Sequence, residues 1–141
     1  MAVHATRESI RREILFMRTL LVTAPDPTLD ANGNIYVALD TLYSFDYDGK
    51  LRWKTVLDRF VVSSLVSDLD GTVYFAVKND LYDREFDAIS AQGILAWSWL
   101  FDSFQSTGPS PAISADGRLI LPTWRSTKLY AFRQLNCRHR R

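Results

Sequence analysis

The sequence predicts an all-β chain made by copying one four-stranded antiparallel unit, and three observations carry that prediction. First, a turn ending in glycine followed by an apolar run occurs at Asp30-Ala31-Asn32-Gly33 before Ile35–Leu39, at Asp68-Leu69-Asp70-Gly71 before Val73–Val77, and at Ser114-Ala115-Asp116-Gly117 before Leu119–Leu121. Second, Asp46-Tyr47-Asp48-Gly49 and Ala91-Gln92-Gly93 each precede a stretch that ends in a tryptophan, Trp53 or Trp97. Third, the spacing repeats: Gly33 and Gly71 are 38 apart (71 − 33), Gly71 and Gly117 are 46 apart (117 − 71), and the tryptophans are 44 apart (97 − 53). Four short strands every 40–50 residues or so are the mark of propeller blades. The expected architecture is therefore a partial β-propeller of about three four-stranded antiparallel blades, an incomplete ring.

The first copy sets the pattern. Gly and Asn accept positive φ cheaply, and an Asp side chain bonds the backbone two residues on, so Asp30–Asn34 is a turn. Ile35-Tyr36-Val37-Ala38-Leu39 is apolar on both faces, as suits a strand covered on both sides. Asp40-Thr41 breaks the chain, Leu42–Phe45 forms a second strand, and Asp46–Gly49 turns again. In Lys50–Lys54, Leu51 and Trp53 point one way and Lys50, Arg52 and Lys54 the other, which predicts a strand with one wet face. In the second copy Asp87–Ser90 is aligned with Leu42–Phe45, and in the third Lys128–Phe132 takes that place with no Trp strand after it. The blades are expected at about 25–57, 64–101 and 110–133, within a repeat domain of residues 25–133, with Asp58–Ser64 as a linker and Asn79–Glu85 as a polar insertion.

The flanks are read separately. Residues 1–24 are either a lone outer strand or a short helix. Ile10, Ile14, Met17 and Leu21 fall at helical spacing, while Glu13-Ile14-Leu15-Phe16-Met17-Arg18 aligns with Lys50–Thr55, with Phe16 in the place of Trp53. Residues 134–141 form a basic tail. The chain has 141 residues, 47% of them hydrophobic, and a formal net charge of +1. That balance disfavours nucleic acid as a partner, and no apolar run approaches the ~20 residues of a membrane span. A single cysteine, Cys137, leaves the redox compartment open.

The copies resemble the repeats of the PQQ-binding-like, or quinoprotein-type, β-propeller family. The matching stretches are Pro111-Ala112-Ile113-Ser114-Ala115-Asp116-Gly117-Arg118-Leu119, Leu129-Tyr130-Ala131-Phe132, and Asp48-Gly49-Lys50-Leu51-Arg52-Trp53, and the likeness covers roughly residues 27–133. The Gly-His and Trp-Asp pairs of WD repeats and the Gly-Gly pair of kelch repeats do not occur. The resemblance implies that Trp53 and Trp97 dock between neighbouring blades. An ordinary core position within one sheet is the alternative for both. Gly33, Gly49, Gly71, Gly93 and Gly117 are the turn residues.

The family spans quinone-dependent dehydrogenases, assembly scaffolds and binding ectodomains, so it leaves function open. A dehydrogenase site needs adjacent cysteines and a calcium set, and this chain has neither. Trp124 is the single aromatic in a suggestive loop, and it is read as a packing residue. The Asp-x-Asn/Asp turns have glycine fourth rather than sixth, which suits hairpins rather than calcium loops. The only histidines, His4 and His139, lie in the flanks, which disfavours nucleophilic and zinc chemistry. The expected protein is a non-catalytic binding or scaffolding module, part of a larger or oligomeric propeller, with no cofactor. A fragment of a PQQ-dependent dehydrogenase, with PQQ and calcium, is the alternative. Partners are expected to be proteins, or other copies of the chain meeting through exposed blade faces. The compartment is unknown; the resemblance alone points to the periplasm or the cell exterior.

Overall fold

The computed structural model describes residues 25–78, 84–100, 110–122 and 128–133. The expectations for residues 1–24, most of the 79–85 insertion, Trp124, Cys137, both histidines and the basic tail lie outside the described residues. Within them the chain is all-β, with three open antiparallel sheets and no helix.

The first sheet runs β1 (Thr28–Leu29), β2 (Ile35–Ala38), β3 (Thr41–Phe45), β4 (Leu51–Val56) in spatial order. The second is formed by β5 (Phe60–Val61), β6 (Val66–Ser67), β7 (Val73–Lys78), β8 (Arg84–Ile89) and β9 (Leu95–Leu100), with β5 and β6 both pairing β7. The third has three strands, β10 (Ala112–Ile113), β11 (Arg118–Pro122) and β12 (Leu129–Arg133).

The copying is visible residue by residue. One cross-strand row runs Thr28–Tyr36–Ser44–Trp53 in the first sheet and Val66–Tyr74–Ala88–Trp97 in the second. The third sheet repeats it as Ala112–Ile120–Ala131 and stops there. Both complete rows have the same irregularity: the register shifts between Ser44 and Phe45 and between Ala88 and Ile89. All five turns share one backbone pattern. The first residue donates its N–H to the carbonyl four on and accepts from the N–H of the glycine three on, as Asp30 does with Asn34 and Gly33 and Ser90 with Ile94 and Gly93.

Three expectations need correction. Asp58–Ser64 is not a plain linker, because Phe60 and Val61 pair with Lys78 and Val77. β7 is six residues long where β2 is four, and β6 covers only its first two, leaving edge for a second short strand. Asp87 is equivalent to Tyr43 rather than Leu42. The pairs Ser44–Trp53 and Ala88–Trp97 fix that register, and a one-residue slip reverses every side chain. Arg52 does not face away from Trp53. It is the extra residue of a bulge, which bends the strand and re-aims its side chain onto Ser44 and Tyr36 of the Trp53 row.

The sheets are stacked face to face. Tyr36, Ala38 and Leu42 of the first sheet, with Trp53, pack on Val73, Phe75, Val77 and Ile89 of the second. Tyr74, Ala76, Phe86 and Ala88, on the other face of the second, pack on Leu119 and Leu121 of the third. Successive strand residues point to opposite faces, so β7 must be apolar throughout to serve both seams, and Val73–Val77 is buried without a break. Each large side chain buried this way contributes about 1.5–3 kcal/mol.

Candidate functional site

The turns come first, because their carboxylates were the most suggestive residues. Asp30 Oδ1 accepts the N–H groups of Asn32 and Asn34, and Asp68 Oδ1 those of Asp70 and Thr72, all at 2.9 Å. The other oxygen of each takes a tyrosine hydroxyl two residues into the next strand, Tyr36 or Tyr74, at 2.8 Å. Asp46 caps Asp48 and Lys50 in the same way. These oxygens hold the turns shut. No group of three or more His, Cys, Asp or Glu among the described residues is placed to hold a metal ion.

Trp53 forms the first seam. Its indole N–H donates to the Ala91 carbonyl, 2.8 Å away in the outer turn of the second sheet, and Thr55 Oγ1 donates to the Gly93 carbonyl at 2.6 Å. Arg52 adds Ser44 Oγ at 2.9 Å and the Tyr36 hydroxyl at 3.3 Å. Ser67 Oγ reaches the Leu29 carbonyl at 2.8 Å, tying the inner ends of the two sheets. The tryptophan therefore joins neighbouring sheets through both its ring and its nitrogen.

Trp97 holds the equivalent position one sheet on, with a different outcome. Its ring meets Tyr74 and Phe86 of its own sheet and Phe132 of the third, at centroid distances of 5.9, 6.2 and 6.1 Å. Its indole N–H has no acceptor among the described residues, and the residue is 38% exposed. In the third sheet β12 pairs only with β11 among the described strands. On that sheet's outer face Ala131 and Ala112 are exposed, and Leu129 is 64% exposed.

One polar cluster was missed by the sequence reading. Arg59, just before β5, reaches both Glu85 and Asp87 of β8, with Asp87 Oδ2 at 3.0 Å. Ser98 Oγ stands against both carboxylates. Burial pushes the Asp87 carboxyl above its ordinary range, against the opposing pull of Ser98 and Arg59. The Asp87 side chain is 1% exposed and closed in by Arg59 and Ser98, so the cluster clamps β8 to the segment before β5 and to β9. A sequence signal existed: in Phe86-Asp87-Ala88-Ile89 the Asp stands among apolar residues, and a carboxylate buried there needs a partner.

Gly33, Gly49, Gly71, Gly93 and Gly117 all occupy turns with φ between 78 and 86°. Two of them also lie at a seam between described sheets. Gly71 faces Ala91 Cβ and Asp30, and Gly93 faces the Trp53 ring. The structure thus joins Trp53 to Gly93 and Gly71 to Asp30 and Tyr36; Gly33 faces Tyr47 of its own sheet, and Gly49 and Gly117 lie at no seam among the described residues. No helix among the described residues is long and apolar enough to cross a membrane. Comparison with protein-family models and with curated proteins returned no match for the sequence.

Proposed function

We propose that this chain is a non-catalytic β-propeller repeat module, a binding and scaffolding surface within a larger or oligomeric propeller. The observation that carries this reading is the cross-strand row that ends in Trp53 and Trp97. It recurs with the same register, the same bulge and the same sense of stacking onto the next sheet. Stacked sheets joined by short connections build a rigid surface of turns and edges, and such surfaces bind through shape and exposed apolar residues. Tyr47 and Leu69, each exposed at the tip of a turn, and Ile94, exposed where a turn closes, are residues of that kind.

Among the described residues, Asp30, Asp46 and Asp68 are engaged in turns and Glu85 and Asp87 in the Arg59 clamp, which supports a binding role over catalysis. Two measurements test the reading. Nuclear Overhauser contacts from the Trp53 indole N–H to the Gly93 Hα should appear in solution; their absence removes the stacked-blade reading. Titration with PQQ and calcium should give neither a thermal shift nor an absorbance change. A response in both would replace this reading by that of a dehydrogenase fragment.

A further inference from the structure

Every glycine turn places a side-chain amide or carboxyl directly before its glycine: Asn32, Asp48, Asp70, Gln92 and Asp116 precede Gly33, Gly49, Gly71, Gly93 and Gly117. Glycine has no Cβ to shield its own nitrogen. That nitrogen can therefore reach the side-chain γ carbon of an Asn or Asp before it and close a five-membered imide. Asn releases ammonia in that step and is thermolabile for this reason. An ionised Asp must first take up a proton to release water, and Gln92 would have to close a larger ring. Asn32 is thus the chemically weakest point of five turns that share one backbone pattern. Of the four asparagines it alone precedes glycine, and it is exposed. Asn34 is half-buried, donates its side-chain amide to Asp30 Oδ2 at 2.8 Å and precedes the β-branched Ile35.

We propose that Asn32–Gly33 is a site of spontaneous modification, and that its two products, Asp and isoAsp, affect the first seam differently. In the first step the Gly33 nitrogen gives up its proton and bonds Asn32 Cγ, the Cγ–Nδ2 bond breaks, and ammonia leaves with that proton. Water then opens the imide at either carbonyl: at Cγ it gives Asp, at the main-chain carbon isoAsp. No oxidant or reductant takes part. In the closed turn the Gly33 N–H donates to the Asp30 carbonyl at 3.0 Å, so the first step needs a local opening. Asp is a compatible product. Asp48 and Asp70 already hold that place in the Asp46 and Asp68 turns, with their N–H groups on the capping Oδ1 at 3.0 and 2.9 Å and the glycine bonds made at 2.9 and 3.2 Å. IsoAsp runs the main chain through the former side chain and adds one carbon between residues 32 and 33. Asp30 Oδ1 holds the N–H groups of residues 32 and 34, both at 2.9 Å, on either side of that point. A lengthened chain cannot keep both of these and the Gly33 bond. Asp30 Oδ2 also accepts from the Tyr36 hydroxyl, which meets the Gly71 carbonyl of the next sheet at 3.4 Å, so the isoAsp form loosens the seam.

The test ages the full folded chain in mildly alkaline buffer made with heavy-oxygen water and maps its peptides by mass spectrometry. Asn32 should convert to Asp and isoAsp, each carrying one heavy oxygen, while Asn34 stays intact. Asn32→Gln should show no conversion at that position. Asn32→Asp should unfold at the parent's urea midpoint, and the purified isoAsp form at a lower one. In the isoAsp form amide exchange at Gly33 and Asn34 should rise by about tenfold or more, with Gly49 unchanged. Conversion confined to a urea-unfolded control, or equal conversion at Asn34, would overturn the site. An isoAsp form with the parent's midpoint and exchange rates would overturn its effect on the seam.

Discussion

A Cβ at Gly93 would lie 2.8 Å from both Cδ2 and Cε3 of Trp53. The turn of one sheet and the tryptophan of its neighbour thus occupy one another's space, and glycine is the residue that permits it. Gly93→Ala should therefore cost more than its positive φ alone demands. Gly117 has φ 78° against 81° for Gly93, so Gly117→Ala serves as the reference at about 1–2 kcal/mol. Gly93→Ala should exceed it by about 1–3 kcal/mol, the usual range for overpacking. In a Trp53→Ala background the excess should vanish. Urea midpoints of the four proteins, read as a coupling cycle, check this.

The two tryptophans, equivalent in sequence, should respond differently to the same substitution. Trp53→Phe keeps most of the ring area but removes the 2.8 Å indole donor to the Ala91 carbonyl, leaving it the Arg52 guanidinium at 3.4 Å, and should cost about 1 kcal/mol. Trp97→Phe loses no hydrogen bond among the described residues and should cost about 0.5 kcal/mol or less under monomeric conditions. Denaturant unfolding followed by far-UV circular dichroism separates the two.

That difference also marks how far the sequence could be read. The turns, the strands and the copying were legible because Asp-x-x-Gly before a β-branched run and Trp after a second glycine are local signals. The role of Trp53 could be anticipated from its place in an alternating strand. Its acceptor could not, since Ala91 is 38 residues away and offers only a backbone carbonyl. The bulge at Arg52 was hidden for a different reason. Lys50–Lys54 alternates cleanly on paper, and one extra residue in the ladder leaves the letters unchanged while turning a side chain over. The Asp87 clamp escaped because Arg59 lies 28 residues away, in a stretch taken for a linker.

Two carboxylates should give stability profiles of opposite sign in acid. Burial pushes the Asp30 carboxyl upward, but hydrogen bonds from the Asn34 side chain, the Tyr36 hydroxyl and two backbone N–H groups together hold it below its ordinary value. A depressed folded pKa means stability that is present above the unfolded value, near ~3.9, and lost as pH falls through the folded one. Asp87 is raised, chiefly by burial. Its folded form prefers the proton, so stability is gained as pH falls through the folded value toward the unfolded one. Asp30→Asn should flatten the acid loss of the parent, and Asp87→Asn should steepen it. Thermal midpoints from neutral pH to pH 3 distinguish the two signs.

Arg59 carries the last expectation. Its guanidinium is the cation that faces the Asp87 carboxylate, and the Ser98 hydroxyl is the other partner. Arg59→Met retains an apolar stem but leaves that buried charge with the hydroxyl alone. Breaking a fully buried pair costs roughly 3–5 kcal/mol; with Arg59 itself 24% exposed, about 2–3 kcal/mol is expected at neutral pH. The cost should be smaller at pH 4 than at neutral pH, because Asp87, raised by burial, carries a larger share of proton there and so needs less counter-charge. Adding Asp87→Asn to Arg59→Met should recover part of the loss at neutral pH and little at pH 4. Urea unfolding of the single and double variants at the two pH values tests both the clamp and the direction of the Asp87 shift. A loss independent of pH would mean that Arg59 acts through its stem rather than its charge.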